Sequence, residues 1–328
     1  MLIVIQTNAQ QPTIKILESG KKVSIRSLSV VNNNIIWASG SNGSVARSVD
    51  GGTTWAWQTI PGYEKRDFRD IEAFDENTAI IMGIAEPAII LKTKDGGKSW
   101  KKVFEDTIKG MFLDAMDFRD ENNGIVIGDP INQVVFMAGT TNQGDSWLKV
   151  TGLGYYYTIP LANEGEAFFA SSGTNVKLLG NHPMYVSGGK HSRLFFSRDS
   201  LPIPIMQGKE STGANSLAVY KNKKGMIVGG DFTKDTISSN NAVLFKIGNR
   251  IRFSKPKTPP HGYRSCVIYL DEKNLLTCGT SGIDISKDGG MNWQLISKES
   301  FHVCQKAKKG NAVFLAGGNG RIAKLFGY

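Results

Sequence analysis

The chain has 328 residues, 40% of them hydrophobic, enough to bury a large core, and carries a formal net charge of +10 from 39 Lys and Arg against 29 Asp and Glu. The lysines are scattered in pairs and triplets, with no basic stripe interleaved with aromatics, so the charge speaks for solubility and against a nucleic-acid partner. Three cysteines, odd in number and without ligand spacing, exclude a disulfide framework and a metal site and read as buried thiols.

In chain order, residues 1–5 (Met-Leu-Ile-Val-Ile) are followed by Gln-Thr-Asn-Ala-Gln. They read as the tail of a secretory signal or as an apolar arm, too short to span a membrane. Of the two, export to the periplasm or medium is preferred over a cytoplasmic location. Residues 13–17 (Thr-Ile-Lys-Ile-Leu) alternate as a strand does but have no hairpin partner nearby. From residue 24 the chain falls into repeats. Residues 24–31, 34–39, 44–48 and 55–60 alternate apolar and polar side chains between turns rich in Asn, Gly or Asp, the period-two signature of strands. The same first hairpin returns at 68–83, 112–128, 216–229, 265–279 and 302–317. No stretch has helical periodicity.

The turn at 48–55 reads Ser-Val-Asp-Gly-Gly-Thr-Thr-Trp and fits Ser/Thr-x-Asp-x-Gly-x-Ser/Thr-Trp. Residues 93–100 repeat it fully, 140–147 carry Asn142 in the Asp place, and 286–293 carry Asn292 in the Ser/Thr place. A fifth copy starts at Ser197 and loses its Gly and Trp. Asp50, Asp95, Asn142 and Asp288 head the turn and bond to amides ahead of them, Gly supplies positive φ, and Trp55, Trp100, Trp147 and Trp293 bury a large face beneath it. The first three tryptophans are about 46 residues apart and the last gap is about three such periods, a blade-like repeat. Seven repeats fill the chain only if residues 13–17 supply the outer strand of the last one. The expected fold is therefore all-β: a seven-bladed β-propeller of four-stranded antiparallel blades, closed by the N-terminal strand, forming one domain over residues 11–328 after an arm at 1–10.

In such a ring a site belongs where the innermost strands begin. Aligning those starts (IRSLSV, FRDIEA, FLDAMD, ANSLAV, YRSCVI, FHVCQK) puts Arg26, Arg69, Leu113, Asn215, Arg264 and His302 in one place and Ser27, Asp70, Asp114, Ser216, Ser265 and Val303 in the next. Glu166 belongs to a fourth repeat that resists registration. Loops between second and third strands add Asp129, Lys190, His191, Arg193 and Asp231. The expected ligand site is thus Arg26, Arg69, Asp70, Asp114, Asp129, Glu166, His191, Arg193, Arg264 and His302. These groups either tie blade to blade as ion pairs or take an anionic or sugar-like ligand through the guanidinium forks. The run Tyr155, Tyr156, Tyr157 overhangs the mouth or packs on a blade edge. The Gly-rich pieces at 229–230 and 317–320 open no helix, so no dinucleotide site and no cofactor is expected.

The box is the bacterial neuraminidase repeat, so the chain resembles that superfamily of propellers. Sialidases share it and use an arginine triad, a Tyr nucleophile and an Asp acid/base. That likeness offers Asp70, Asp114, Glu166 and Tyr263 as catalytic groups of a glycoside hydrolase, although the sialidase signature near the N-terminus is absent and seven blades replace six. The segments FRDIEAFDENTA, FLDAMDFRDENNGIVIGDP, GEAFFASSGTN, YRSCVIY, SGIDISKDGG and GGNGRIAKL look like bacterial propellers related to the photosystem II stability/assembly factor. This second resemblance implies a non-enzymatic scaffold that holds a protein partner on an arginine-bearing face; the chain itself is expected to be a monomer.

Overall fold

In the computed structural model, which describes residues 11–150 and 161–328, the alternating runs become seven antiparallel sheets. The leader-like residues 1–10 and the run Tyr155–Tyr157 lie outside the described residues. Among the described residues no helix forms, and none is therefore long and apolar enough to cross a membrane.

The innermost strands of blades one to seven are Ile25–Val30, Phe68–Ala73, Leu113–Phe118, Val176–Leu179, Thr212–Tyr220, Cys266–Tyr269 and Val303–Lys306. Each touches the innermost strand of the next blade, and the circuit closes from the seventh to the first. Side chains latch this inner ring. Ser27 Oγ accepts from Ile71 N at 3.3 Å, Asp70 Oδ2 from Met116 N at 2.7 Å and Ser216 Oγ from Val267 N at 3.0 Å. The apolar core lies in the seams, where facing sheets of neighbouring blades bury Ile, Val, Leu and Phe; Trp37 fills the seam between blades one and two.

Thr13–Glu18 pairs antiparallel with Ile322–Phe326, Thr13 opposite Phe326, and forms the outer strand of the last blade, as the orphan run predicts. Blade four, without a box, departs most from the repeat. Its first strand is only Val176–Leu179, and ahead of it Glu166–Ala167 pairs with Gly188–Gly189, a ribbon joined through Gly188 to Gly213 of blade five.

The box turns repeat one set of bonds. In blade two, Thr93 Oγ1 bonds to Asp95 Oδ1 at 2.8 Å and accepts from Gly97 N at 3.0 Å, while Asp95 accepts from Ser99 N and Oγ at 2.9 and 2.5 Å. The glycine two residues after the Asp or Asn of each box backs onto the preceding blade. A Cβ on Gly97 would stand 2.3 Å from Gln58, and one on Gly144 2.3 Å from Ile80. The box thus clamps neighbouring blades as well as its own hairpin. Trp147 and Trp293 are buried; Trp55 and Trp100 are half-buried. The three thiols are all buried and gather at the seam of blades six and seven, Cys266 Sγ lying 3.7 Å from Cys304 Sγ.

Candidate functional site

The innermost strands of blades one, two, three and five enter their sheets through a bulge. Ile25 faces Gly40 and Ser27 faces Ser39, Phe68 faces Gly83 and Asp70 Met82, Leu113 faces Gly128 and Ala115 Ile127, Ala214 faces Gly229 and Ser216 Val228. The residues left over are Arg26, Arg69, Asp114 and Asn215. In blades six and seven the same place belongs to Ser265, whose amide bonds to Cys278 O, and His302, whose amide bonds to Ala316 O.

This corrects the sequence alignment by one residue in blades three and six. Asp114, not Leu113, is the equivalent of Arg69, and Ser265, not Arg264, the equivalent of Arg26. A one-residue slip turns a side chain to the other face. Arg264 accordingly points into the blade, is 0% exposed, and is held by Asp284 through Nε at 2.7 Å and through Nη2, with Tyr263 O and Ser281 Oγ on Nη1. Asp284 also holds His261 Nδ1 at 2.6 Å. A buried guanidinium with this many partners is a latch.

Half of the mouth is plugged by the segment at 168–175, which leads into blade four. Ser171 Oγ donates to Asn215 Oδ1 at 3.0 Å and Ser172 Oγ to Ser265 O at 2.7 Å. Gly173, at φ +66°, passes so close to Asp70 that a Cβ there would stand 2.4 Å from Oδ1. Beneath this plug Asp114 is fully buried. Among the described residues no hydrogen bond of ordinary geometry reaches its oxygens, and burial, with Asp129 beside it, pushes its carboxyl well up; Arg69 and the amides of Asp129 and Ala170 act the other way. Burial likewise raises Asp129 to about 6, against one bond from Phe168 N at 2.8 Å. Asp70 rises to about 8 through burial despite donors from Ser27, Ile71 and Met116.

The other half of the mouth, at blades seven, one and two, keeps Arg26, Arg69 and His302 partly exposed. Arg69 pairs with Asp67 through Nε at 2.8 Å, both partly exposed. His302 Nδ1 bonds to Ile25 O at 2.9 Å, so the ring's proton sits on Nδ1 and Nε2 is an acceptor; burial and the Arg26 charge lower its pKa to about 4. Arg26 is the outlier. Among the described residues no hydrogen bond or ion pair reaches its guanidinium, its Nε is buried without an acceptor, and burial together with Arg69 lowers its pKa. Two guanidiniums and a neutral imidazole thus share one opening, one carboxylate against them.

The remaining candidates stand apart. Glu166 accepts from Arg193 Nε at 2.9 Å and Nη2 at 2.5 Å, from Asn163 N at 2.7 Å and from Ser187 Oγ, so these two residues answer each other. His191 and Lys190 are exposed on the loop beyond. Asp231 is buried and caps its own loop through Thr233. Of the four groups the sialidase likeness offers, Asp70, Asp114 and Glu166 are buried, and Tyr263 is buried with its hydroxyl on Asn215 Oδ1 at 2.8 Å and its pKa raised to about 12, first by burial. They face no common cleft. Sequence reading missed Asp67, the plug and Phe232. The small-residue run Ala-Ser-Ser-Gly at 170–173 is the one sequence mark of the plug.

Fold and site together define a seven-bladed propeller of Asp-box type with a half-plugged, cationic channel mouth. The chain is similar to the photosystem II assembly-factor propellers: residues 6–111 match the family described as photosynthesis system II assembly factor YCF48. A solved structure described as YCF48 bound to D1 peptide superposes with a TM-score of 0.64 at 16% identity, over 97% of this chain and 95% of that one. YCF48 from Cyanidioschyzon merolae gives 0.62 at 17% identity, over 95% and 98%. No curated protein matches the chain.

Proposed function

We propose that this protein is a non-enzymatic binding propeller whose open half-mouth holds an acidic segment of a protein partner. The observation that carries this reading is Arg26: a guanidinium with a buried Nε, no acceptor and a like-charged neighbour is costly unless an anion completes it. Arg69 and the acceptor Nε2 of His302 flank it, a setting for a carboxylate with a hydrogen-bond donor alongside. The similarity to a propeller bound to a peptide supports a protein partner over a free sugar.

Calorimetric titration of acidic peptides tests this. Arg26→Gln and Arg69→Ala should each weaken binding about tenfold or more, as for a lost charge-assisted hydrogen bond. Wild-type affinity should fall as salt rises. Equal affinity in wild type and Arg26→Gln would end the proposal. Hydrolysis of a reporter glycoside that is lost in Asp70→Asn would install the glycosidase reading instead.

A further inference from the structure

Next to the arginines the mouth changes character. Phe232, on the loop after strand Lys224–Asp231, is 47% exposed although it stands at the channel opening rather than on a blade edge. Its ring meets Phe169 of the plug edge to face at 5.9 Å and Tyr263 at the entry to blade six at 6.4 Å. Its position is fixed from both sides. Asp231 Oδ1 accepts from Thr233 N and Oγ1 at 2.9 and 2.7 Å, and Phe232 N donates to Ser211 O at 3.2 Å. The same loop presents Ile237, 36% exposed, and its Asp235 O accepts from Tyr263 N at 2.8 Å. Tyr263 in turn lies within electrostatic reach of Arg26.

A rigidly held, half-exposed aromatic ring keeps apolar surface in water that nothing in the described chain covers, on the channel mouth that also holds the unanswered guanidinium. The two features are complementary to one extended segment: a carboxylate for Arg26 and a bulky apolar side chain for the aromatic platform. We infer that the exposed ring of Phe232, backed by Phe169 and the buried Tyr263, forms a second subsite, which takes an apolar or aromatic side chain near the acidic residue of the bound peptide. This rests on the reading of Arg26 as an anion site and adds the specificity element to it. Charge alone would accept any acidic chain; the platform selects among them.

Fluorescence anisotropy with a labelled glycine-rich peptide carrying a neighbouring Phe-Asp pair tests the subsite, alongside peptides with Phe→Ala and Asp→Asn. Phe232→Ala in the protein and Phe→Ala in the peptide should each weaken binding about tenfold, and the two together should cost no more than either alone. Phe232→Leu, which keeps the apolar surface, should retain most of the affinity, and thermal unfolding of all variants should match the wild type. Losses that simply multiply, or no loss in Phe232→Ala, overturn the aromatic subsite while leaving the arginine site standing if Arg26→Gln still binds weakly. If wild type binds none of the peptides, the anion-site reading itself falls. Binding to vesicles of anionic phospholipid but to no peptide, lost in Phe232→Ala, would make the occupant a lipid surface and overturn the peptide assignment.

Discussion

The Thr93 hydroxyl serves two partners at once, donating to Asp95 and accepting from Gly97 N, and Ser48, Thr140 and Ser286 do the same in their blades. Thr93→Val keeps the shape and strands a buried amide, so it should cost about 1–3 kcal/mol, read from the urea midpoint. The aspartate is more replaceable than the hydroxyl. In blade three Asn142 accepts from Ser146 N at 3.1 Å and donates to Ser146 Oγ at 2.9 Å, reversing one bond without losing the turn. Asp50 and Asp95 are held down at about 2 by the hydrogen bonds from Thr54 and Ser99. A carboxyl lowered in the folded state stabilises it above the ordinary carboxylate range and loses that contribution as pH falls from about 4 toward 2. The double variant Asp50→Asn, Asp95→Asn should therefore melt below the wild type at neutral pH, converge with it as pH falls toward 2, and so show a shallower acid limb in melting temperature against pH.

Among elements, the outer strand Thr13–Glu18 is the one most exposed to test. Removing it uncovers the backbone edge of Ile322–Phe326 and takes away Ile14 and Leu17, whose side chains pack on the last blade. Deletion of residues 1–18 should lower the melting temperature and promote association through the bare edge, and a synthetic peptide spanning 11–20 should reverse both. Unchanged melting in the truncated chain would show that the last blade stands on three strands. Hairpins, boxes and this closing strand were legible because alternation, turn residues and Trp are local marks. The bulge was not, since an extra residue such as Asp114 or Ser265 leaves no compositional trace on its own strand. A trace does exist on the partner strand. Gly40, Gly128, Gly229 and Gly279 each stand where a Cβ would come within 2.5 Å of the carbonyl of Ser24, Phe112, Gly213 or Tyr263. Aligning repeats on that glycine recovers the observed register. Blade four stayed illegible because its inner approach is spent on the plug, and no box marks its end.

For the molecule as a whole, six aligned places around the mouth divide into a covered side, with Asp114, Asn215 and Ser265, and an open side, with His302, Arg26 and Arg69. The candidate residue types were thus readable from sequence, while their division was not, because it depends on a loop from one blade folding over three others. The ring also carries a built-in reporter. Cys266, Cys278 and Cys304 are wholly buried in the seam of blades six and seven, beside the closing blade. Their labelling by Ellman's reagent in native buffer should be slow and should track global loss of the β-sheet circular dichroism signal. Labelling much faster than unfolding would reveal that the seam opens on its own.

Closure by the first strand has a consequence for how the chain is made. Of the described strands, Thr13–Glu18 leaves the ribosome first and its partner, Ile322–Phe326, last. Throughout synthesis the growing chain holds an unmated strand at one end and an unfinished blade at the other. Early blades can fold as they emerge, but the ring cannot be sealed until Ile322–Phe326 has been made. A chain halted before that strand keeps two raw edges, so the native state waits on the last of the described strands.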